Sequence, residues 1–110
     1  MNYSEALSYC LSLPETSKHL ESGKRHRIVL SVDGECYGLF ETGAPIQWQF
    51  TVQIDPDQLE SLLNPPQVRA ADMAGGGCWI TIERLENFDG ARLQQLIDCS
   101  YQRSREGAIG

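Results

Sequence analysis

Nine residues constrain this chain more than any others. Ile46, Trp48, Phe50, Val52 and Ile54 alternate with Gln47, Gln49, Thr51 and Gln53, a period of two that a helix cannot use. Such a run belongs in a sheet with one face buried and the other polar. Asp55-Pro56 follows at once: a capping residue before a proline that fits the first helical position. The spacing predicts a short helix over 57–63 packing through Leu59, Leu62 and Leu63, stopped by Asn64-Pro65-Pro66.

Other strands follow from the same logic. In residues 26–33, Ile28, Leu30 and Val32 alternate with Arg27, Val29 and Ser31. Asp33-Gly34 is a strong hairpin signal, because both central turn positions want positive φ. Residues 35–41 return as a second strand, with Tyr37 and Leu39 expected on one side and Cys36 and Phe40 on the other. Residues 78–83 read as a further strand, Ile80 and Ile82 toward the core and Trp79 and Thr81 away from it. Residues 67–77 carry Val68 as their one strong β-former and resist assignment; residues 15–24 read as a polar loop.

Helices frame the strands. Asn2 or Ser4 caps a first helix with Tyr3, Leu7, Cys10 and Leu11 on one face, ended by Pro14; Asp89 caps a last one whose stripe is Leu93, Leu96, Ile97, Ser100 and Tyr101. Helix, antiparallel strands, helix predicts an α+β two-layer sandwich, a twisted antiparallel sheet with the N- and C-terminal helices packed on one face. At 110 residues, 41% of them apolar, the chain is expected to form a single domain, 1–110.

Composition narrows the function classes. No apolar run approaches the ~20 residues a bilayer span needs, and the first 14 residues lack a signal peptide's basic and apolar regions. Cys10, Cys36, Cys78 and Cys99 contain no Cys-x-x-Cys pair, and are expected as reduced thiols in a cytoplasmic protein. Net charge is −6, yet residues 18–27 hold Lys18, Lys24, Arg25 and Arg27 against Glu21 alone, +3, leaving −9 elsewhere. This is either a solvated loop or a basic strip on an acidic body.

Catalysis needs a nucleophile with a base, or a matched acid and base. The histidines, His19 and His26, fall in or beside the basic segment, where exposure is the ordinary expectation; a Cys–His pair would require His26 beside Cys36 across the hairpin. Carboxylates and cysteines lack metal-ligand spacing. Gly75-Gly76-Gly77 leads into Cys78-Trp79 rather than the Lys and Ser/Thr of a phosphate-binding loop. No enzyme, metal or cofactor is expected.

Several of these segments, in this order, resemble the MmcQ/YjbR family. Residues 6–14, ending in Leu13-Pro14, look like its first helix; residues 28–40, with Asp33-Gly34, resemble its central hairpin. Residues 51–56, ending in Asp55-Pro56, and residues 93–101, with Leu96-Ile97 and Ser100-Tyr101, are similar to its strand-to-helix junction and last helix. The resemblance implies a CyaY-like fold and a double-wing, predicted DNA-binding protein. The family's basic residue and histidine before the strand tryptophan are replaced here by Gly76-Gly77-Cys78 ahead of Trp79. The iron-binding acidic helix of the fold-level cousin frataxin is also missing, since helix 1 offers Glu5 and at most Glu15.

Candidate binding residues are therefore Lys18, Lys24, Arg25, Arg27 and Trp79. An outward Trp79 near Gln47, Gln49, Thr51 and Gln53, with cations at the edge, suits base stacking on DNA. The same face suits a protein partner or a small ligand; equally, the 67–77 segment can cover Trp79.

Overall fold

A computed structural model describes residues 1–22, 26–42, 49–64, 67–73 and 76–109. Its centre is a six-stranded antiparallel sheet: β1 (Ser17–Glu21), β2 (Arg27–Val32), β3 (Glu35–Glu41), β4 (Gln49–Gln53), β5 (Val68–Ala71) and β6 (Trp79–Ile82). The spatial order is β1-β2-β3-β4-β6-β5, so the chain leaves β4, passes one strand position, lays down β5 at the edge and returns through β6. Helices α1 (Tyr3–Ser12) and α3 (Gly90–Ile109) pack on one face, and a short α2 (Leu59–Leu62) links β4 to β5.

The predicted α+β sandwich is the observed one. The Asn2 side chain accepts from the Glu5 amide at 2.8 Å while Glu5 Oε1 accepts from the Asn2 amide at 3.0 Å, satisfying two of the donors a helix start leaves open. Asp55 accepts from Asp57 at 2.9 Å ahead of a 3-10 turn (Pro56–Gln58). Asp89 accepts from Ala91 at 3.1 Å at the head of α3. Asp33 and Gly34 turn with φ of 53° and 81°. Phe50, Val52, Ile54, Ile80 and Ile82 line the core against Leu93, Leu96 and Ile97.

Four expectations need correction. Residues 17–21, expected as loop, form edge strand β1; four of its five residues are exposed, so no face imposed an apolar alternation. In α1 the buried residues are Ala6 and Cys10, while Leu11 is 41% exposed. In α2 it is Leu62 that is buried, whereas Leu63 faces solvent. Tyr37 and Leu39 do not share a face. Ser31 pairs with Cys36 but Leu30 pairs with Gly38, so Tyr37 is the extra residue of a β-bulge. It turns its ring into the core while Leu39 joins the outer face opposite Val29 and Thr51.

The bulge explains two serines in the apolar stripe of α3. An extra residue disrupts the ladder locally, and buried carbonyls need donors. Ser100 Oγ donates to the Tyr37 carbonyl at 2.5 Å and Ser104 Oγ to the Cys36 carbonyl at 3.3 Å. Ser100 Oγ also accepts from the Gln53 amide at 3.3 Å, tying β3, β4 and α3 together.

Gly38 stands beside the bulge because Phe50 lies over it. A Cβ there would meet the Phe50 ring at 3.1 and 3.2 Å, and that ring is already packed on Phe40 with centroids 4.6 Å apart. Gly38→Ala is expected to cost about 1–2 kcal/mol by overpacking, less the ~0.5–1 kcal/mol gained from a stiffer unfolded chain. Urea denaturation reads the net loss; a gain in stability would mean the Phe50 ring moves freely.

Candidate functional site

With α1 and α3 on one side, the other face of the sheet is where exposed chemistry can gather. Strand pairing fixes its residues in rows. One row crosses all six strands as His19, Val29, Leu39, Thr51, Thr81 and Arg69. The next begins Glu21, Arg27, Glu41, Gln49. Leu39, Thr51 and Thr81 are buried at 3–6% exposure although they point away from the helices. They floor a pocket of about 230 Å³ bordered by Arg27, Glu41, Arg69, Asp72 and Met73.

Both arginines are held. Arg27 Nη2 lies 2.6 Å and Nε 2.9 Å from Glu21 Oε1, its opposite number on β1. Arg69 Nη2 donates to Gln49 Oε1 at 3.0 Å, and its Nη1 is 4.0 Å from Glu83 Oε2. A guanidinium has five N–H donors in a rigid fork, so each keeps donors beyond these contacts. On the floor the Thr51 and Thr81 hydroxyls are 2.8 Å apart; one donates to the other and the second proton is available to an acceptor above. Two cations, two carboxylates and a hydroxyl pair can hold a small ligand bearing charges of both signs. At ~30 Å³ per water the volume equals about eight waters.

The candidate residues from sequence do not converge on this pocket. Arg27 reaches it. Lys18 pairs with Leu30 on β2, which puts it on the helix side of the sheet, opposite in direction to Arg27. Lys24 and Arg25 lie outside the described residues, as do Gln47 and Trp48.

Trp79 points away from the helices, yet it is buried, 7% exposed, and its indole N–H donates to the Gly76 carbonyl at 2.8 Å. The Gly76-Gly77 turn, with φ of 77° and 88°, approaches so closely that a Cβ on Gly77 would sit 2.8 Å from Gln53 Nε2 and 3.2 Å from Trp79 Nε1. The covering reading of Trp79 is the observed one: the glycines form a lid on an aromatic, and the ring offers no open face for stacking. Arg69 was missed because it belongs to a segment without periodicity.

His26 and Cys36 sit at opposite ends of the β2–β3 hairpin. His26 accepts from Thr42, whereas Cys36 pairs with Ser31, roughly 17 Å away at ~3.4 Å per residue. Among the described residues no three His, Cys, Asp or Glu side chains gather as metal ligands, and no helix is long and apolar enough to cross a membrane.

The architecture is that of a small α+β open-faced sandwich, and solved structures share it. A crystal structure of a Pseudomonas syringae protein superposes with a TM-score of 0.71 at 18% identity, covering 94% of this chain and 99% of that one. A Deinococcus radiodurans protein, DR2400, with a DUF419 domain, gives a TM-score of 0.74 at 18% identity, covering 97% and 87%. These likenesses show the fold. No family model and no curated protein matches the chain.

Proposed function

We propose that this chain is a non-catalytic binding module of MmcQ/YjbR type whose ligand is a small zwitterion or carboxylate held on the outer face of the sheet. The observation that carries the reading is the buried Thr51–Thr81 hydroxyl pair flanked by two positioned arginines. The pocket lining sets Arg27 and Arg69 against Glu41 and Asp72, and Glu21 and Glu83 already stand beside the two arginines, so the face carries no surplus of positive charge. That arrangement suits a small ligand with both signs better than a polyanion, whose affinity rests on accumulated phosphate contacts. The DNA reading rests on the family resemblance and the 18–27 strip; a duplex contacting both Lys18 and Arg27 would have to wrap around the β1 edge.

The test is a chemical-shift titration with a panel of amino acids and small carboxylates, alongside fluorescence anisotropy with labelled single- and double-stranded DNA over a salt series. Saturable shifts at Thr51, Thr81 and Arg69 are expected. Arg69→Ala should weaken that binding about 10- to 100-fold, the worth of a hydrogen bond to a charged group. Absent shifts across the panel, together with steeply salt-dependent DNA binding abolished in Arg25→Glu/Arg27→Glu, would replace this reading with the nucleic-acid one.

A further inference from the structure

The two edges of the sheet are treated differently. In β5 the backbone groups of Val68 point outward, since its neighbour Gln67 accepts from Glu83 across the ladder; those outward groups are taken by Asn64, with N–H···O bonds of 2.9 and 3.0 Å in both directions. At β1 no described strand lies beyond the edge.

Which β1 groups are open follows from the ladder. The Thr42 amide donates to the His26 carbonyl, so even-numbered β2 residues bond to β3 and odd-numbered ones to β1. Arg27 with Glu21, and Val29 with His19, are then the bonded pairs. The N–H and C=O of Lys18 and Leu20 point away from the sheet. Leu20 is 66% exposed and borders a groove of about 390 Å³ with Ser22, His26, Ile28 and Thr42. An open edge carrying an exposed leucine is a template for another strand.

We propose that β1 docks a second copy of this chain, antiparallel, with Leu20 at the two-fold axis, continuing the sheet from one subunit into the next. Register decides the occupant. A two-fold perpendicular to the sheet keeps each side chain on its own face, so residues of like parity must oppose. Centring on Leu20 sets Leu20 against Leu20 of the second copy, Lys18 against Ser22, and the His19 imidazole against the Glu21 carboxylate. Centring on Lys18 would oppose two ammonium groups, and centring on His19 would oppose two imidazoles. The Leu20 register alone joins apolar to apolar and donor to acceptor on both faces, and an isologous contact of this kind closes at two subunits. A single strand pairing is small for an interface, which places the dimer among weak, concentration-dependent ones.

The experiment is sedimentation equilibrium of the full chain from micromolar to millimolar concentration, with amide hydrogen exchange by NMR across the same range. A reversible dimer is expected, with the Lys18 and Leu20 amides slowing as it forms while the His19 amide, already bonded to Val29, does not change. Leu20→Lys should raise the dissociation constant at least ten-fold. His19→Glu, opposing carboxylates, should act in the same direction. Both sites are exposed, so circular dichroism should show both variants folded. A chain that stays monomeric throughout overturns the proposal, as does a dimer that Leu20→Lys leaves intact. Neither result bears on the outer-face pocket, whose titration is separate.

Discussion

Tyr37→Ala is expected to remove about 3–5 kcal/mol of stability, the range for deleting a large buried aromatic. A domain of this size holds roughly 5–15 kcal/mol in all, so the variant should be marginal at 37 °C. Tyr37 is fully buried at the bulge, edge-on to Tyr101 with centroids 5.5 Å apart. Its hydroxyl lies 3.2 Å from the Cys10 carbonyl, to which it donates, and 3.0 Å from Thr16 Oγ1. One side chain thus joins the end of α1, the segment leading into β1, the bulge of β3 and the middle of α3. Tyr37→Phe separates the two contributions: it keeps the ring and leaves the Cys10 carbonyl without that donor, costing about 1–3 kcal/mol. Urea denaturation followed by circular dichroism measures both. An alanine variant no weaker than the phenylalanine one would mean that the ring contributes nothing beyond its hydroxyl.

The sequence does not announce this hub, and the reason is the bulge. Alternation assigns faces only while the ladder is regular; one extra residue at Tyr37 reverses the facing of the residues after it, so Tyr37 and Leu39 part company. Where no bulge intervenes, the pattern holds: Phe50, Val52 and Ile54 face the helices, and the caps at Asn2, Asp55 and Asp89 lie where the sequence puts them. β1 was illegible for a different reason. An edge strand that buries neither face has no apolar period to display, and Ser17-Lys18-His19-Leu20-Glu21 reads as a loop. The candidate site was half visible. Alternation sends Thr51 and Thr81 outward, but nothing local says that they oppose each other or that Arg69 stands in their row. The covering of Trp79 depends on a turn of two positive-φ glycines, in which the Gly76 carbonyl accepts from the indole and Gly77 lies against Gln53, a tertiary contact between segments far apart in the chain.

Stability is expected to fall steeply above pH 9, through protons that burial holds on the protein. Burial pushes the Cys10 thiol from its ordinary 9.0 up to about 12, and burial likewise pushes the Tyr37 phenol well above 10.0. Both groups are neutral when protonated, and both have folded values above their unfolded ones. Their contribution is therefore complete below the unfolded value and is lost as pH rises toward the folded one. Above pH 9.0 the unfolded chain releases the Cys10 proton while the folded chain keeps it, so unfolding gains about 1.4 kcal/mol per pH unit. Above pH 10.0 Tyr37 adds a similar slope. Cys36, raised by burial, and Tyr9, raised chiefly by its hydrogen bond to the Asp98 carboxylate, act in the same direction. Denaturation free energies measured at successive pH values should thus be flat below the first threshold, fall beyond it, and fall faster beyond the second. Cys10→Ala should start lower yet lose the Cys10 share of the first slope, leaving the shallower part that Cys36 contributes; Tyr37→Phe should keep the first and lose part of the second. An unchanged slope in Cys10→Ala between pH 9.0 and 10.0 would show that the thiol is not what the fold holds neutral, and that α1 is not sealed against the sheet at Cys10.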